Sequence, residues 1–422
     1  MNFLNKFMTK EQEAKQSPIV SSAHSTTYKD FREYQESKSA KSTEAEDEQE
    51  QFLIAQEKPV KRKVISIILH DFTLDALLLK MNELKASDLH FEVGSPPVYR
   101  IKGDIVFTDF PEITKEQAER MLYPLINEEL KKIFLSTGNI DFCYDKLLGN
   151  RYRVNFLRQR KGIGGVFRII PNKIPLPEEL RLPEVIIKIA MSRRGIILVT
   201  GPTGSGKTTT MAAMINHINQ NKQSHIITIE DPIEFSHTPI KSLISHREIR
   251  QHAKSFTSAL KAALREDPDV ILVGEMRDLE TISLALTAAQ MGVLVMGTLH
   301  TNSATKTIDR MIDVFPPKQQ EQARIQLSQS LRAIIAQQLI KTADEKGRIA
   351  AFEILLSDLG LANMIREGKT TQIPSYIIMG KHKGMLYLDN VLIEYVQAGL
   401  ITKEEALLRA RDMQVFERAG IL

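Results

Sequence analysis

The segment GIILVTGPTGSGKTTTMAAMINHINQ, residues 195–220, decides the fold class of this chain. It opens with GIILVT, an apolar run of the length of a buried strand, and closes with MAAMINHINQ, which has a helical pattern. GPTGSGKT (201–208) between them matches G-x-x-x-x-G-K-[ST]. In such a loop the glycines allow close wrapping, and N–H groups at the helix N-terminus face phosphates. The segment therefore predicts a phosphate-binding loop in an α/β protein.

Two side chains of this loop have predicted contacts with a bound triphosphate. Lys207 is expected to reach the β- and γ-phosphates, and the Thr208 hydroxyl is expected to bind Mg²⁺. The alternative, a glycine-rich turn with an incidental lysine, is disfavoured by the strand before the loop and the helix after it. The predicted phosphate-binding residues are Gly201, Pro202, Thr203, Gly204, Ser205, Gly206, Lys207, Thr208 and Thr209.

Strands and helices alternate further along the chain. HIITIE (225–230), DVILVG (269–274) and VLVMGT (293–298) are apolar and strand-sized, and SFTSALKAALRE (255–266) has a helical pattern. Near-continuous apolar strands separated by helices predict a largely parallel sheet that is covered on both faces. From about residue 303 onward the sequence predicts mainly helices.

Acidic residues follow two of these strands, where a magnesium nucleotide would need them. Glu230 and Asp231 end the strand HIITIE, and Glu275 ends DVILVG. Ligands bind at the carboxyl ends of the strands in open parallel sheets, and Mg²⁺ prefers oxygen ligands. We expect Glu230 to polarise the attacking water and Glu275 to bind Mg²⁺ directly or through water. The spacing leaves the reverse assignment open.

A histidine and a group of arginines are further candidates. His300 follows the strand VLVMGT and is suited to sensing the γ-phosphate, although a lone histidine more often has a structural role. The arginines belong to a predicted hairpin around RKGIGG (160–165) and have two interpretations. One is a basic solvated face, favoured for Arg158 and Arg160; the other is an arginine that completes a neighbouring subunit's nucleotide site. The group is Arg151, Arg153, Arg158, Arg160 and Arg168.

Two regions precede the parallel sheet. Residues 1–63 contain no glycine and carry 11 basic and 11 acidic residues, which predicts a disordered tail; a segment that docks on a partner is the alternative. From Val64 the pattern becomes globular. A helix behind Thr73, short strands such as LHFEV (89–93) and the hairpin predict an α+β domain of about 100 residues.

Prolines separate this domain from the parallel sheet. They lie at positions 171, 175 and 177, and proline resists both helix and sheet, so this stretch is predicted to be an interdomain linker. The predicted regions are a tail (1–63), an N-terminal domain (64–172), a linker (173–185), the phosphate-binding domain (186–352) and a C-terminal helical region (353–422).

Composition excludes several classes of protein. The chain has 422 residues, 42% of them hydrophobic, a net charge of +4 and one cysteine, Cys143. One cysteine excludes an internal disulfide and any multi-cysteine zinc site, and favours a reducing compartment. The charge is too mild to predict nucleic-acid binding. No apolar run reaches the roughly 20 residues that span a bilayer, and the N-terminus lacks a signal peptide, so a cytoplasmic protein is expected.

Seven blocks of the sequence resemble those of bacterial secretion ATPases, in the same order. The resemblance covers about residues 70–420 and is strongest to the type IV pilus retraction ATPases, the PilT-type twitching-motility motors. One cysteine cannot form the four-cysteine metal segment of the pilus-assembly relatives, which favours retraction over extension. The blocks are ASDLHFEVGSPPVYRIKGD, RYRVNF, GGVFRIIP, GPTGSGKTTT, TIEDPIEF, LREDPDVILVGEMRDLET and GTLHTNSA.

The resemblance implies a homo-hexameric ring whose subunits have a PAS-like N-terminal domain and a RecA-like ATPase domain. ATP, with Mg²⁺, would bind between the domains and close to the neighbouring subunit. In family terms Glu230 is the catalytic glutamate, Glu275 belongs to the Walker B segment and His300 to the histidine box. Three arginines would approach the phosphates: Arg151, Arg153 and Arg168. LANMIREGKT (361–370) resembles the helix that retraction ATPases need for pulling, although its first residues differ.

The implied function is an ATP-hydrolysing motor that powers pilus retraction at the cytoplasmic face of the inner membrane. Its expected partners are further copies of itself, an inner-membrane pilus platform protein and a paralogous pilus ATPase, with no nucleic acid. One alternative is an accessory ATPase that depends on a sister motor for force. A RecA-like nucleic-acid motor is another, which the modest charge and the absence of tryptophan disfavour.

Overall fold

A computed structural model describes residues 62–69, 71–101, 103–147, 150–170 and 173–421. The tail predicted for residues 1–63 lies outside the described residues except for its last two positions, as do the first two residues of the proline-rich stretch, 171 and 172. Residues Lys63–Leu422 form one compact unit that contains two seven-stranded sheets. None of the helices in the described ranges has the length and apolar character required to cross a bilayer.

The first sheet forms the N-terminal domain and has the strand order β1-β4-β3-β2-β7-β6-β5. Its strands are antiparallel to their neighbours except for β1, which runs parallel to β4. The predicted hairpin is present, and Arg153 faces Arg168 across it. The strands are β1 (Val64–Ile65), β2 (Ala86–Glu92), β3 (Val98–Ile101), β4 (Asp104–Thr108), β5 (Asn139–Leu147), β6 (Asn150–Gln159) and β7 (Gly162–Ile170).

Three helices cover this sheet, and their first residues follow from capping chemistry. The Thr73 side chain accepts a hydrogen bond from the N–H of Ala76 at the start of the first helix. Thr114 forms a capping box with Gln117 at the start of the second. Aromatic side chains such as Phe91, Tyr99 and Phe156 fill the core between helices and sheet. The helices are α1 (Leu74–Leu84), α2 (Lys115–Leu122) and α3 (Glu128–Thr137).

The second sheet has the order β10-β9-β11-β12-β8-β13-β14 and is parallel except for β14, which is antiparallel to β13. Its central strands are buried along their whole length and separate two apolar cores. The predicted α/β class, with a covered parallel sheet, is confirmed. The strands are β8 (Gly195–Thr200), β9 (His225–Glu230), β10 (Leu243–Glu248), β11 (Val270–Val273), β12 (Leu294–Leu299), β13 (Leu331–Lys341) and β14 (Arg348–Leu356).

Helices surround this sheet and continue to the C-terminus. Those beyond β14 include a satellite core around Leu392 and Phe416, which packs against Ala351 of that strand. The helices are α4 (Glu184–Ala190), α5 (Lys207–Asn221), α6 (Phe256–Ala263), α7 (Leu279–Gln290), α8 (Ala304–Asp313), α9 (Pro317–Ser330), α10 (Leu359–Arg366), α11 (Ile373–Met379), α12 (Leu388–Gln397), α13 (Lys403–Leu407) and α14 (Met413–Arg418).

Two strands of the second sheet contradict the prediction of mainly helical structure after residue 303. β13 lies between β8 and β14, so it is buried on both faces and its sequence, LRAIIAQQLIK, has no strand alternation. A short apolar run of this kind does not distinguish a buried strand from a buried helix by periodicity. The predicted limit between residues 352 and 353 falls inside β14. The other domain limits stay predictions.

Candidate nucleotide site

The phosphate loop connects β8 to α5 at the carboxyl edge of the second sheet. Gly201, Gly204 and Gly206 have φ angles of 146°, 77° and 88°, a region that residues with a side chain rarely adopt. A Cβ on Gly201 would lie 2.2 Å from the Gln337 carbonyl oxygen. Gly206 is the N-cap of α5 and has no side chain to satisfy the first N–H groups of the helix. These groups suit an anion.

Gln337, from β13, holds the loop in place. It accepts a hydrogen bond from the Thr210 hydroxyl at 2.7 Å and donates one to the Ser205 carbonyl oxygen at 2.8 Å. It is 3% exposed, so both bonds are protected from water. No local pattern indicates this contact, because Gln337 is distant from the loop along the chain and lies in a segment predicted to be helical.

The Lys207 ammonium folds back onto the loop. It donates to the carbonyl oxygens of Gly201 at 2.8 Å and Pro202 at 3.0 Å. Burial lowers its pKa, while the charges of Glu275 and Glu234 act in the opposite direction. The ammonium is therefore held by two neutral acceptors that a phosphate oxygen can replace.

Glu230 is the last residue of β9 and is 7% exposed. Burial raises the pKa of its carboxyl group to about 7, although hydrogen bonds from the Thr228 side chain and the Glu234 backbone favour the charged form. A carboxyl group with a pKa near neutrality exchanges protons readily at physiological pH, which is the property required of a general base.

Glu275 follows β11 and contacts two cationic or polar side chains. His300 places its Nε2 2.9 Å from Glu275 Oε1. The guanidinium of Arg277 also bonds both carboxylate oxygens. Arg277 was not a predicted site residue, although its position two residues after Glu275 in GEMRD was a usable signal.

One cavity of about 320 Å³ brings most of the predicted site residues together. Parts of the phosphate loop form one wall, and the strand-end acids and His300 form another. Predicted site residues that line it are Arg153, Thr203, Gly204, Lys207, Thr208, Glu230, Glu275 and His300. The Ser205 hydroxyl, close to this wall, is buried and has no hydrogen-bond partner among the described residues.

The other two predicted arginines do not line this cavity. Arg151 Nη2 lies 3.8 Å from Glu248, and Arg168 Nε donates to Asp88 at 2.7 Å within the N-terminal domain. Arg153 lines the cavity, and its Nε is 3.9 Å from Asp141. Of the three, Arg153 alone lines the cavity that the phosphate loop also lines.

A larger cavity of about 700 Å³ opens on the other side of the loop. Gly206 and Thr209 form its inner end, and apolar side chains such as Leu182 and Leu339 line its walls. Sequence reasoning did not find it, since its lining comes from the linker, β13, β14 and the region around Gly399. Its size and partly apolar lining suit a nucleoside.

The site supplies oxygen donors for a cation next to phosphates. The Thr208 hydroxyl and the Glu275 carboxylate line the same cavity, and both are hard ligands of the kind that Mg²⁺ binds together with phosphate oxygens and water. Among the residues that the structure describes, no group of three or more His, Cys, Asp or Glu side chains is arranged to hold a metal.

Known proteins resemble this chain over most of its length. Residues 179–387 match the family described as type II/IV secretion system protein. A twitching motility protein of Neisseria gonorrhoeae is 50% identical over 318 residues, covering 75% of this chain and 85% of that protein. The type IV pilus retraction ATPase PilT of Pseudomonas aeruginosa is 48% identical over 331 residues, covering 78% and 96%.

A solved structure agrees with the sequence comparisons. The crystal structure of the pilus retraction motor PilT with bound ADP has a TM-score of 0.77 and 43% sequence identity, covering 82% of this chain and 100% of that one. The family match spans the phosphate loop and all strands of the second sheet.

Proposed function

The chain belongs to the type II/IV secretion ATPases, and on this basis we propose that it is the ATP-hydrolysing motor that powers type IV pilus retraction in twitching motility. One observation carries the proposal: the phosphate loop, Glu230, Glu275 and His300 line a single cavity. These groups can bind a triphosphate and activate water for hydrolysis of a phosphoanhydride. A retraction ATPase and a solved retraction motor match this chain over most of its length and almost all of theirs.

Each candidate site residue has a distinct role in the proposed hydrolysis of ATP. Lys207 and the first N–H groups of α5 bind the β- and γ-phosphates, and Thr208 and Glu275 would hold Mg²⁺, which would neutralise charge on the phosphate oxygens. Glu230 orients the attacking water and takes its proton, for which a pKa of about 7 is suited. His300, whose Nε2 is 2.9 Å from Glu275 Oε1, is placed to respond to the γ-phosphate.

We assign the nucleoside to the larger cavity. Thr209 and Gly206 lie at its inner end, so a nucleotide whose phosphates lie on the loop would extend its base towards Leu339 and Leu182. The two cavities are on opposite sides of one loop. This arrangement separates base binding from the reacting phosphate.

The arginines support a role for a second subunit. Arg151 and Arg168 are paired with acids and do not line the phosphate cavity of their own chain. We propose that a homo-hexameric ring brings arginines of the N-terminal domain (64–172) to the neighbouring ATPase domain (186–352). An arginine supplied in this way is worth about 10³–10⁵ in rate.

Several further features are part of the proposal. The ring would act at the cytoplasmic face of the inner membrane, against a platform protein of the pilus machine and, in some complexes, with a paralogous ATPase. The helix α10 overlaps the stretch 361–370 that resembles the pulling helix of retraction ATPases, and its first residue, Leu359, just before that stretch, is 84% exposed, which suits contact with a partner.

ATPase measurements on the purified full-length chain test the nucleotide site. Lys207→Ala and Glu230→Gln should each abolish turnover, while Lys188→Ala should leave it unchanged because Lys188 forms an exposed pair with Glu184 on α4. Light scattering after size exclusion tests the hexamer. Wild-type turnover in a folded Glu230→Gln protein would refute the catalytic assignment.

The two alternative functions have their own tests. Pilus retraction in a strain that retains only this ATPase distinguishes an autonomous motor from an accessory one. Stimulation of ATP hydrolysis by single-stranded DNA at moderate salt would favour the nucleic-acid motor.

A further inference from the structure

A buried chain of hydrogen bonds leads from strand β10 to the Glu230 carboxylate. β9 and β10 are parallel, and Thr228 faces His246 across them, next to the pair of Glu230 and Glu248. Thr228 Oγ1 is 2.8 Å from His246 Nδ1. Thr228 is fully buried and lies two residues before Glu230 on β9, so both side chains are on the same face of the strand, where hydrogen bonding from the Thr228 side chain lowers the pKa of Glu230. The mechanism above uses neither Thr228 nor His246.

The backbone determines which nitrogen of His246 carries the proton. The N–H of His237 donates to His246 Nε2 at 3.1 Å, so Nε2 must present its lone pair. Burial lowers the pKa of His246 below its usual value, which keeps the ring neutral at pH 7. A neutral imidazole that accepts at Nε2 has its proton on Nδ1. His246 Nδ1 therefore donates to the Thr228 hydroxyl oxygen.

The direction of this bond determines the direction of the next one. Because Thr228 Oγ1 accepts from His246, its own proton is free to donate, and a carboxylate such as Glu230 can only accept. The ring of His237 stacks on that of His246, with centroids 5.7 Å apart and an angle of 11° between the planes. Stacking on His237 and the hydrogen bond from the His237 backbone together hold the imidazole in the orientation that the hydrogen bond to Thr228 requires.

We propose that His246 is a positioning residue for ATP hydrolysis, which acts by holding the Thr228 hydroxyl as a hydrogen-bond donor to Glu230. This inference rests on the proposed function, because it assumes that Glu230 acts on the attacking water. The contact fixes the carboxylate at the wall of the phosphate cavity and favours its charged form. Phosphate binding, which uses the loop on the other side of the cavity, does not depend on it.

The proposal predicts a change in the pH profile and in kcat, with KM unchanged. Loss of the His246 donor frees the Thr228 hydroxyl to rotate, so the pKa of Glu230 rises and the acidic limb of kcat moves to higher pH. The expected shift is about 0.5–1 pH unit, the effect of one hydrogen bond to a carboxylate. Other titratable or charged groups around Glu230 and His246 are unchanged in the variants: Arg151, Arg153, Lys207, Asp231, Glu234, His237, Glu248, Glu275, Arg277 and His300.

The experiment measures kcat and KM for ATP from about pH 5.5 to 9 in four variants of the full chain. His246→Phe and Thr228→Val should each move the acidic limb upwards and lower kcat at pH 7. The double variant should match Thr228→Val alone, because His246 acts through Thr228. His246→Gln should retain the wild-type limb, since its amide can donate to Thr228 and accept from the His237 N–H.

A control separates this role from a general loss of structure. His225 lies on β9, three residues before Thr228 and at the opposite end of the strand from Glu230. Its ring is within hydrogen-bond distance of the Glu266 carbonyl oxygen, at 2.9 Å, and of the Ser245 hydroxyl, at 3.2 Å. His225→Phe should leave the acidic limb in place. A wild-type limb in His246→Phe or Thr228→Val, or a further shift in the double variant, would overturn the proposal.

The remaining outcomes distinguish the catalytic role of Glu230 from the positioning role of His246. If His246→Phe does not fold, Thr228→Val must still shift the limb and His246→Gln must still retain it, or the proposal is wrong. Turnover in Glu230→Gln would instead refute the assigned role of Glu230 and, with it, the premise of the proposal. An inactive Glu230→Gln protein together with an unshifted Thr228→Val limb refutes the positioning role alone.

Discussion

Arg411→Ala is expected to destabilise the second domain and to slow ATP hydrolysis. Arg411, just before α14, donates to the Glu353 carboxylate of β14 and to the Asn302 carbonyl oxygen. Glu353 also accepts from the N–H of Ala304, the first residue of α8, at 2.8 Å. The loop that carries His300 is therefore attached to the C-terminal helices by one guanidinium and one buried carboxylate.

The size of the effect follows from the burial of Glu353. Its side chain is 1% exposed, while that of Arg411 is 25% exposed. Removing one partner of a buried ion pair costs about 3–5 kcal/mol, because the remaining charge stays desolvated. Water reaches Arg411 in part, so we expect a loss of about 2–4 kcal/mol in the free energy of unfolding.

Urea unfolding followed by circular dichroism measures this loss, and kcat reports the effect on the His300 loop. The matched control is Lys381→Ala, which removes a cation that pairs with Glu394 of α12 at 3.0 Å, with both side chains more than half exposed. Exposed ion pairs of this kind are worth about 0.2–1 kcal/mol, so the control should change little. Adding Glu353→Gln to Arg411→Ala should recover stability, because the amide carries no buried charge.

Equal stability of Arg411→Ala and Lys381→Ala would refute this reasoning, since it would mean that removing the partner of the buried Glu353 carboxylate costs no more than removing an exposed pair. If Arg411→Ala is as stable as the wild type but turns over slowly, Arg411 positions the His300 loop and does not compensate the buried charge of Glu353. Failure of Glu353→Gln to recover any stability would place the cost in lost packing of the arginine stem.

Three further outcomes are expected at the phosphate site. The kcat for ATP should fall as the pH decreases through about 7, because burial raises the pKa of Glu230 to about 7 and only its charged form accepts a proton; a flat profile would contradict the assignment. Gly201→Ala should abolish nucleotide binding measured by calorimetry, since its Cβ would lie 2.2 Å from the Gln337 carbonyl oxygen, whereas Gly292→Ala, which also has a positive φ but no atom within 4 Å of its Cβ and lines neither cavity, should bind normally. Gln337→Leu should raise the Kd for ADP about tenfold by removing two buried hydrogen bonds to the loop, and an unchanged Kd would show that the loop holds its shape without them.

Local chemistry explains which parts of the fold could be predicted. The phosphate loop needs glycines at fixed spacing between a strand and a helix, and all of these lie within residues 195–220. The caps at Thr73 and Thr114 and the hairpin of β6 and β7 are equally local. Glu230 and Glu275 were placed correctly at strand ends because a parallel sheet brings its carboxyl ends to one edge.

Contacts between distant segments explain what could not be predicted. Gln337 reaches the loop from a strand whose sequence is compatible with a helix, and the larger cavity combines residues from 179 to 400. Arg168 carries the same charge as Arg153 and faces it across the hairpin. Arg168 pairs with Asp88, however, and of these two arginines Arg153 is the one that lines the phosphate cavity. Spacing along the chain contains no information on such partners.

The two strands that the sequence did not predict connect the nucleotide site to the C-terminal helices. Gln337 faces Phe352 across the β13–β14 hairpin, and Ala336 faces Glu353 one position away. Because successive residues of a strand point to opposite faces, Gln337 and Glu353 project to opposite sides of the sheet. One binds the phosphate loop, and the other binds the start of α8 and Arg411. A displacement of the phosphate loop would therefore act on a hydrogen-bonded strand pair whose other face holds the His300 loop. This strand pair is a route of direct contacts that joins the nucleotide site to the C-terminal helices.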